Sequence, residues 1–154
     1  MQAIFAAPAD LDAWMALVRK VSWNFPGLET EAELEAHRKT VWKFISDRRA
    51  LCVKDADRIV GVLLFSRKCS MICCLAVDPE YRRRGIASAM LEKALGALDR
   101  SREITVTTFR ENDAKGTAPR RLYKKYGFVE GELVEEFGYP NQRFILRPVS
   151  QGQN

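Results

Sequence analysis

The run Val77-Asp78-Pro79-Glu80-Tyr81-Arg82-Arg83-Arg84-Gly85-Ile86-Ala87-Ser88 constrains this chain more than any other stretch. The apolar and sulfur-bearing residues from Ser70 to Val77 read as a strand. Asp78, Pro79 and Glu80 read as a loop, and a helix starts near Arg84 or Gly85 and runs through Asp99. Such a junction presents unpaired backbone N–H groups at the positive end of a helix dipole, which together attract anions. Gly85 and Ala87 are small enough for a phosphate to approach the backbone. The plain alternative is an ordinary Asp-Pro turn with Arg82 to Arg84 as a solvated corner. The run lacks both the Lys-Ser/Thr ending of a P-loop and the three glycines of a dinucleotide fingerprint.

At 154 residues the chain fits one domain, 1–154, with a real core. Its 47% hydrophobic and 29% charged content is that of an ordinary globular protein. No apolar run approaches the roughly 20 residues of a membrane span. Met1 to Pro8 is apolar but short and has no basic flank, so it is not read as a signal peptide, and a cytoplasmic location without membrane contact is expected. Cys52, Cys69, Cys73 and Cys74 form no C-x-x-C pair, and His37 is the sole histidine. No metal site is expected, and the cysteines read as buried, reduced and hydrophobic. The net charge of +5 concentrates at Arg82 to Arg84 and at Arg120, Arg121, Lys124 and Lys125. Clustered base suits a polyanionic small molecule. Nucleic acid is disfavoured, because no aromatic-interleaved basic strand or helix-turn-helix accompanies it.

Asp10 is placed to cap a helix over Leu11 to Val21, and Thr30 with Glu33 forms a capping box for a second helix reaching about Arg49. Strands follow at Ala50 to Lys54, Ile59 to Ser66 and Ser70 to Val77, with links short enough for antiparallel hairpins. After the Gly85 helix come a strand from Glu103 to Phe109 and a polar loop from Arg110 to Gly116. A short helix from Ala118 to Tyr126 follows, with Pro119 in its first turn and Gly127 past its end. Phe128 to Phe137 and Gln142 to Arg147 form a final hairpin around Gly138-Tyr139-Pro140-Asn141. This order predicts an α/β sandwich on a mixed sheet.

Two segments together resemble the GNAT superfamily of N-acetyltransferases. Arg82, Gly85 and Ala87 fill the core positions of that family's Arg/Gln-x-x-Gly-x-Gly/Ala acetyl-CoA motif, within the run from Leu75 to Ala87. Leu122-Tyr123-Lys124-Lys125-Tyr126-Gly127-Phe128 resembles its Leu-Tyr…Gly-Phe segment. The resemblance spans roughly Ala50 to Arg147. It implies a mixed, mostly antiparallel central sheet of six to seven strands flanked by about four helices. It also implies acetyl-CoA as co-substrate and a primary amine as acceptor, acetylated by direct attack on the thioester.

By that resemblance, Leu75, Ala76 and Val77 would pair their backbone with the pantetheine arm like an added strand. The N–H groups of Arg82, Arg83, Arg84, Gly85, Ile86, Ala87 and Ser88 would hold the pyrophosphate, with an arginine reaching the 3′-phosphate. Tyr123 would sit at the CoA sulfur and protonate the departing thiolate. A backbone N–H near the strand end, such as that of Val77, would hold the oxyanion. Asn112 lies eleven residues before Tyr123, whereas the family spacing of seven falls on Gly116. An insertion in the loop would let Asn112 keep its cofactor contact.

The general base is open. The strand Ser70 to Val77 holds no carboxylate, which leaves Glu111 or a water relay through Thr105, Thr107 and Thr108. The acceptor is expected between the first two helices and the final hairpin, near Trp14, Trp23, Phe25, Trp42 and Tyr139. Glu29, Glu31, Glu33 and Glu35 either attract a cationic acceptor or serve the helix dipole. A monomer or homodimer is expected. A CoA-binding sensor of the same fold without catalysis is the alternative from another class.

Overall fold

The computed structural model describes residues 1–149. Thr30 accepts a hydrogen bond from the Glu33 N–H at 3.1 Å, and Glu33 accepts one from the Thr30 N–H at 3.0 Å. This capping box starts α2 (Glu31–Ser46), which ends three residues earlier than the sequence suggests because Arg48 turns into a left-handed conformation (φ 55°). Asp10 does not cap α1 (Leu11–Val21). Its carboxylate instead accepts the Ala7 N–H at 2.7 Å and pairs with Lys54 at 2.7 Å, closing a short 3-10 turn ahead of the helix.

Seven strands make one sheet in the order β1-β2-β3-β4-β5-β7-β6. They are β1 (Ala3–Phe5), β2 (Ala50–Asp55), β3 (Arg58–Ser66), β4 (Met71–Val77), β5 (Ile104–Phe109), β6 (Val129–Glu136) and β7 (Tyr139–Leu146). All neighbours are antiparallel except β4 and β5, which are joined in sequence by α3 (Ile86–Ala97). The sheet confirms the expected mixed, mostly antiparallel α/β architecture, with α4 (Thr117–Lys125) as the fourth helix. The last hairpin turns two residues earlier than expected. Phe137 (φ 52°) and Gly138 (φ 72°) alone form the corner. This is the left-handed pair of a type I′ turn, and Tyr139, Pro140 and Asn141 already belong to β7.

Two cores sandwich the sheet. On one face, α3 and α4 cover Leu63, Phe65, Ile72, Val106 and Phe144. On the other, α1 and α2 cover Cys52, Val62, Leu64 and Ala76, with Trp14 fully buried among them. That second layer reaches only β2, β3 and β4. Gly61 lets α3 lie close on β3: a Cβ there would stand 2.6 Å from Ile86 Cγ2 and 3.0 Å from Met90 Cε. No helix among the described residues is long and apolar enough to cross a membrane.

Candidate active site

The parallel seam between β4 and β5 is paired at only two positions, Met71↔Thr105 and Ile72↔Val106. Beyond Ile72 the strands diverge into a wedge. A bulge causes it: β3 and β4 change register between Leu64↔Cys74 and Phe65↔Ile72, leaving Cys73 as the extra residue. Asp78 N–H donates to the Val60 carbonyl at 2.9 Å. By the antiparallel alternation, Cys74 and Ala76 therefore also bond β3, while Leu75 and Val77 turn their N–H and C=O groups into the wedge. The free edge is thus Leu75 and Val77, and Ala76 corrects the expectation that all three present their backbone.

The wedge opens toward the arginine run. Arg83 (φ 64°) and Gly85 (φ 76°) are both left-handed, and no atom lies within 4 Å of where a Gly85 Cβ would stand. Gly85 is the N-cap of α3, and its carbonyl accepts the Ala89 N–H at 3.0 Å. The N–H groups of Ile86, Ala87 and Ser88 therefore have no acceptor within the helix. The Ile86 side chain is buried in the core, so only its backbone is available. Arg82 and Arg83 are exposed, and the Arg84 guanidinium lies 4.7 Å from the centre of the Tyr81 ring.

An ion network pins this loop. Lys20 of α1 donates to both carboxylate oxygens of Asp78, at 2.9 and 3.0 Å, and to Glu80 at 2.9 Å. Arg58 reaches Asp78 at 3.3 Å, and the Glu80 N–H reaches it at 2.9 Å. Burial alone would push the Asp78 carboxyl up, but the Glu80 N–H, Lys20 and Arg58 outweigh it and hold it below its ordinary range.

Tyr123 of α4 is 4% exposed and packs in the core, with its ring 5.6 Å from Phe128 and 6.2 Å from Phe144. Its hydroxyl is free of hydrogen bonds to the described residues. Burial first, and the nearby Cys74 second, push the phenol well above its ordinary range. The same burial pushes the Cys74 thiol up to about 12. Arg120, one turn before Tyr123, holds α4 in place. Its guanidinium donates to the Phe109 carbonyl at 3.0 Å, Gln142 at 2.8 Å and Glu130 at 2.9 Å. Arg120 therefore leaves the polyanion-binding cluster that the charge pattern suggests, and Lys124 is committed to Glu130 at 2.6 Å.

Past β5, the Asp113 N–H donates to the Arg110 carbonyl at 3.0 Å, placing Glu111 and Asn112 at the corners of a turn. Asn112 lines a cleft with Arg110, Asp113, Ala114, Tyr139 and Pro140, while Glu111 is exposed. Tyr139 donates to Asp113 at 2.7 Å and packs edge-on against Phe109 with ring centres 5.6 Å apart. Phe137 lies over Gly27 of the α1–α2 connection, where a Cβ would be 3.0 Å from its ring. The other aromatic residues of the expected acceptor site divide: Trp14 is in the core, and Trp23 and Trp42 are exposed. Glu31 pairs with Arg19 and Glu33 serves the capping box. Cys69 and Cys73 are exposed, against the expectation of four buried cysteines, because the hairpin turn and the bulge lift them out of the core. Among the described residues, no group of His, Cys, Asp and Glu is arranged to hold a metal ion.

The family model of the acetyltransferase (GNAT) domain matches residues 46–130, the region that builds the wedge, the arginine loop and α4. The chain belongs to this GNAT acetyltransferase family. No curated protein matches it in sequence. Among solved structures, a GNAT-family acetyltransferase from Bacillus cereus superposes with a TM-score of 0.74 at 23% identity, over 97% of this chain and 98% of that one. The ribosomal-protein-alanine N-acetyltransferase of Brucella melitensis gives 0.72 at 18%, covering 94% and 98%. YncA from Salmonella typhimurium, solved with acetyl-CoA, gives 0.74 at 14%, covering 98% and 95%. These likenesses establish the shared fold.

Proposed function

We propose that the protein is an acetyl-CoA-dependent N-acetyltransferase in which a primary amine attacks the thioester directly. The observation that carries this reading is the wedge, a strand edge left unpaired at Leu75 and Val77 that leads into the free N–H groups of α3. An extended amide-bearing chain ending in a pyrophosphate matches that edge and that terminus. The pantetheine arm pairs with Leu75 and Val77, while Ala76 keeps the strand on β3. The N–H groups of Arg82 to Ser88 take the pyrophosphate, and Arg82, Arg83 or Arg84 meets the 3′-phosphate. Asn112, at the rim of its cleft, contacts the arm from the β5 side.

Tyr123 protonates the leaving thiolate. Its raised pKa keeps the phenol neutral through the working pH range, which suits an acid. The Leu75 and Val77 N–H groups, facing the wedge, offer the oxyanion donor. The Bacillus, Brucella and Salmonella folds support the reading, and the Salmonella protein carries acetyl-CoA itself. The test is amine-dependent release of CoA thiol from acetyl-CoA across a panel of alkylamines, polyamines and peptides. Turnover with one of them supports the proposal. Tight CoA binding with turnover on none favours the silent-sensor alternative and refutes it.

A further inference from the structure

The strands around the wedge carry no carboxylate that faces the acceptor, yet the register of the last hairpin brings one there. Ile72 and Val106 pair across the seam, and both lie in the core covered by α3 and α4, as do Phe144 and Leu146 of β7. The opposite face therefore carries Thr105, Thr107 and Phe109 of β5 and Tyr139, Asn141 and Arg143 of β7. It is the face on which Cys74 and Ala76 pack under α1 and α2. On β6, the register shifts between Glu130↔Phe144 and Leu133↔Gln142, so two residues, Gly131 and Glu132, oppose Arg143. This bulge exchanges the faces of everything after it. Val134 now stands opposite Asn141 and Glu136 opposite Tyr139, both on the acceptor face.

A second observation agrees with the register. Cys73, the bulged residue at the throat of the wedge, is exposed as a residue, but its thiol is crowded by its surroundings and raised to about 11. Desolvation is the main cause, Cys69 adds to it, Arg49 opposes, and Glu136 adds the smallest share. Glu136 is thus close enough to Cys73 for its charge to be felt there. The adjoining Phe137 closes against Gly27, which sets the hairpin tip over this opening. The neighbouring charges are committed. Glu130 is held by Arg120 and Lys124, Glu132 by Arg143, Asp113 by Tyr139, and Arg110 by the carbonyls of Asn141 and Val134. The Lys115 ammonium lies 5.5 Å from the Tyr139 ring centre. Glu136 pairs with no cation among the described residues.

We propose that Glu136 is the proton acceptor of the reaction, the carboxylate that meets the incoming ammonium group over the wedge. The inference rests on the N-acetyltransferase reading above. The ammonium gives one proton to Glu136, directly or through a water. The freed nitrogen lone pair forms the C–N bond to the acetyl carbon. As the C–S bond breaks, its electrons stay on the CoA sulfur, which takes the Tyr123 proton. A second proton lost from nitrogen balances the one given to sulfur, so one proton reaches solvent per amide formed. Glu136 replaces Glu111 and the threonine relay in this role.

The test compares the full chain with its Glu136→Gln and Glu136→Asp variants, using acetyl-CoA and the amine that the panel above identifies. In Glu136→Gln, kcat/KM for the amine falls on the order of 10²-fold, while the KM for acetyl-CoA and the melting temperature hold. Its pH profile moves alkaline and follows the amine's own titration, and Glu136→Asp recovers part of the rate. A separate readout needs no acceptor. At about pH 8, below the ordinary thiol pKa, iodoacetamide alkylates Cys73 faster in Glu136→Gln, because a negative charge felt at the thiol is gone. An active wild type whose Gln variant matches it in rate and profile overturns this assignment alone, as does an unchanged Cys73 alkylation rate. A wild type that releases no thiol with any amine overturns the reaction and the assignment with it.

Discussion

Gly61→Ala would test whether the N-terminal end of α3, the proposed pyrophosphate site, is set by its close approach to β3. The new methyl would stand 2.6 Å from Ile86 Cγ2, about 1 Å inside an ordinary carbon–carbon contact of roughly 3.5–4.0 Å. Met90 can swing its terminal methyl aside. The Ile86 Cγ2 is fixed one bond from the Cβ of a residue in the first turn, so the helix N-terminus itself must lift. Overpacking of this kind costs about 1–3 kcal/mol. At this chain length that lowers the melting temperature by about 2–4 °C per kcal/mol. The lift also draws the N–H groups of Ile86 to Ser88 away from a bound pyrophosphate. Weakening one charge-assisted hydrogen bond by about 1.4 kcal/mol raises the dissociation constant roughly tenfold. Differential scanning fluorimetry and calorimetric titration with CoA read the two effects. Gly96→Ala is the control: the same helix has open space there, and the change should stabilise by about 0.5–1 kcal/mol. A Gly61→Ala variant with wild-type melting and wild-type CoA affinity would refute the argument.

Tyr123→Phe keeps the packing against Phe128 and Phe144 and removes only the hydroxyl, the proposed acid. kcat should fall on the order of 10²-fold with the KM for acetyl-CoA little changed, and steady-state kinetics that show an unchanged kcat remove Tyr123 from the mechanism. Gly85→Ala meets no atom but forces an L-residue to φ 76°, so a loss of about 1–2 kcal/mol in thermal or denaturant unfolding is expected. The Asp78 carboxyl titrates below its unfolded value. Its contribution to stability is therefore whole above the ordinary carboxylate pKa and is lost as the pH falls through the lower folded value. Asp78→Asn should flatten that acid limb in pH-dependent melting, and an acid limb unchanged by the substitution counts against the network.

Much of the architecture is legible in local signals. The Thr30–Glu33 box, the strand–helix junction at Gly85 and the stop at Gly127 each name their own geometry, because the side chain or the missing Cβ acts within a few residues. What escapes the sequence is set by pairing. β1 is only Ala3 to Phe5, too short to show a period, and it exists because β2 offers an open edge, Ala3 standing opposite Val53. The bulges at Cys73 and at Gly131-Glu132 leave no mark in the residue pattern, yet one opens the wedge and the other decides which face Glu136 occupies. Pro140 and Asn141 have turn chemistry and still lie in a strand, since Phe137 and Gly138 absorb the left-handed geometry first. Arg120 looks like part of a basic surface because its sequence neighbours are basic, whereas its acceptors come from three distant strands.

The seam between β4 and β5 has a mechanical consequence. Two residue pairs join one half-sheet, β1 to β4, to the other, β5 to β7, so this is the line along which the sheet is least cross-linked. A strand-like molecule bound there acts as a zipper between the two halves. Its binding energy appears as resistance to their separation and rises logarithmically with its concentration. On the proposed function, amide exchange at Leu75 and Val77 and along Thr107 to Phe109 would then slow together on saturation with CoA, the cofactor serving as a structural strand of the working protein.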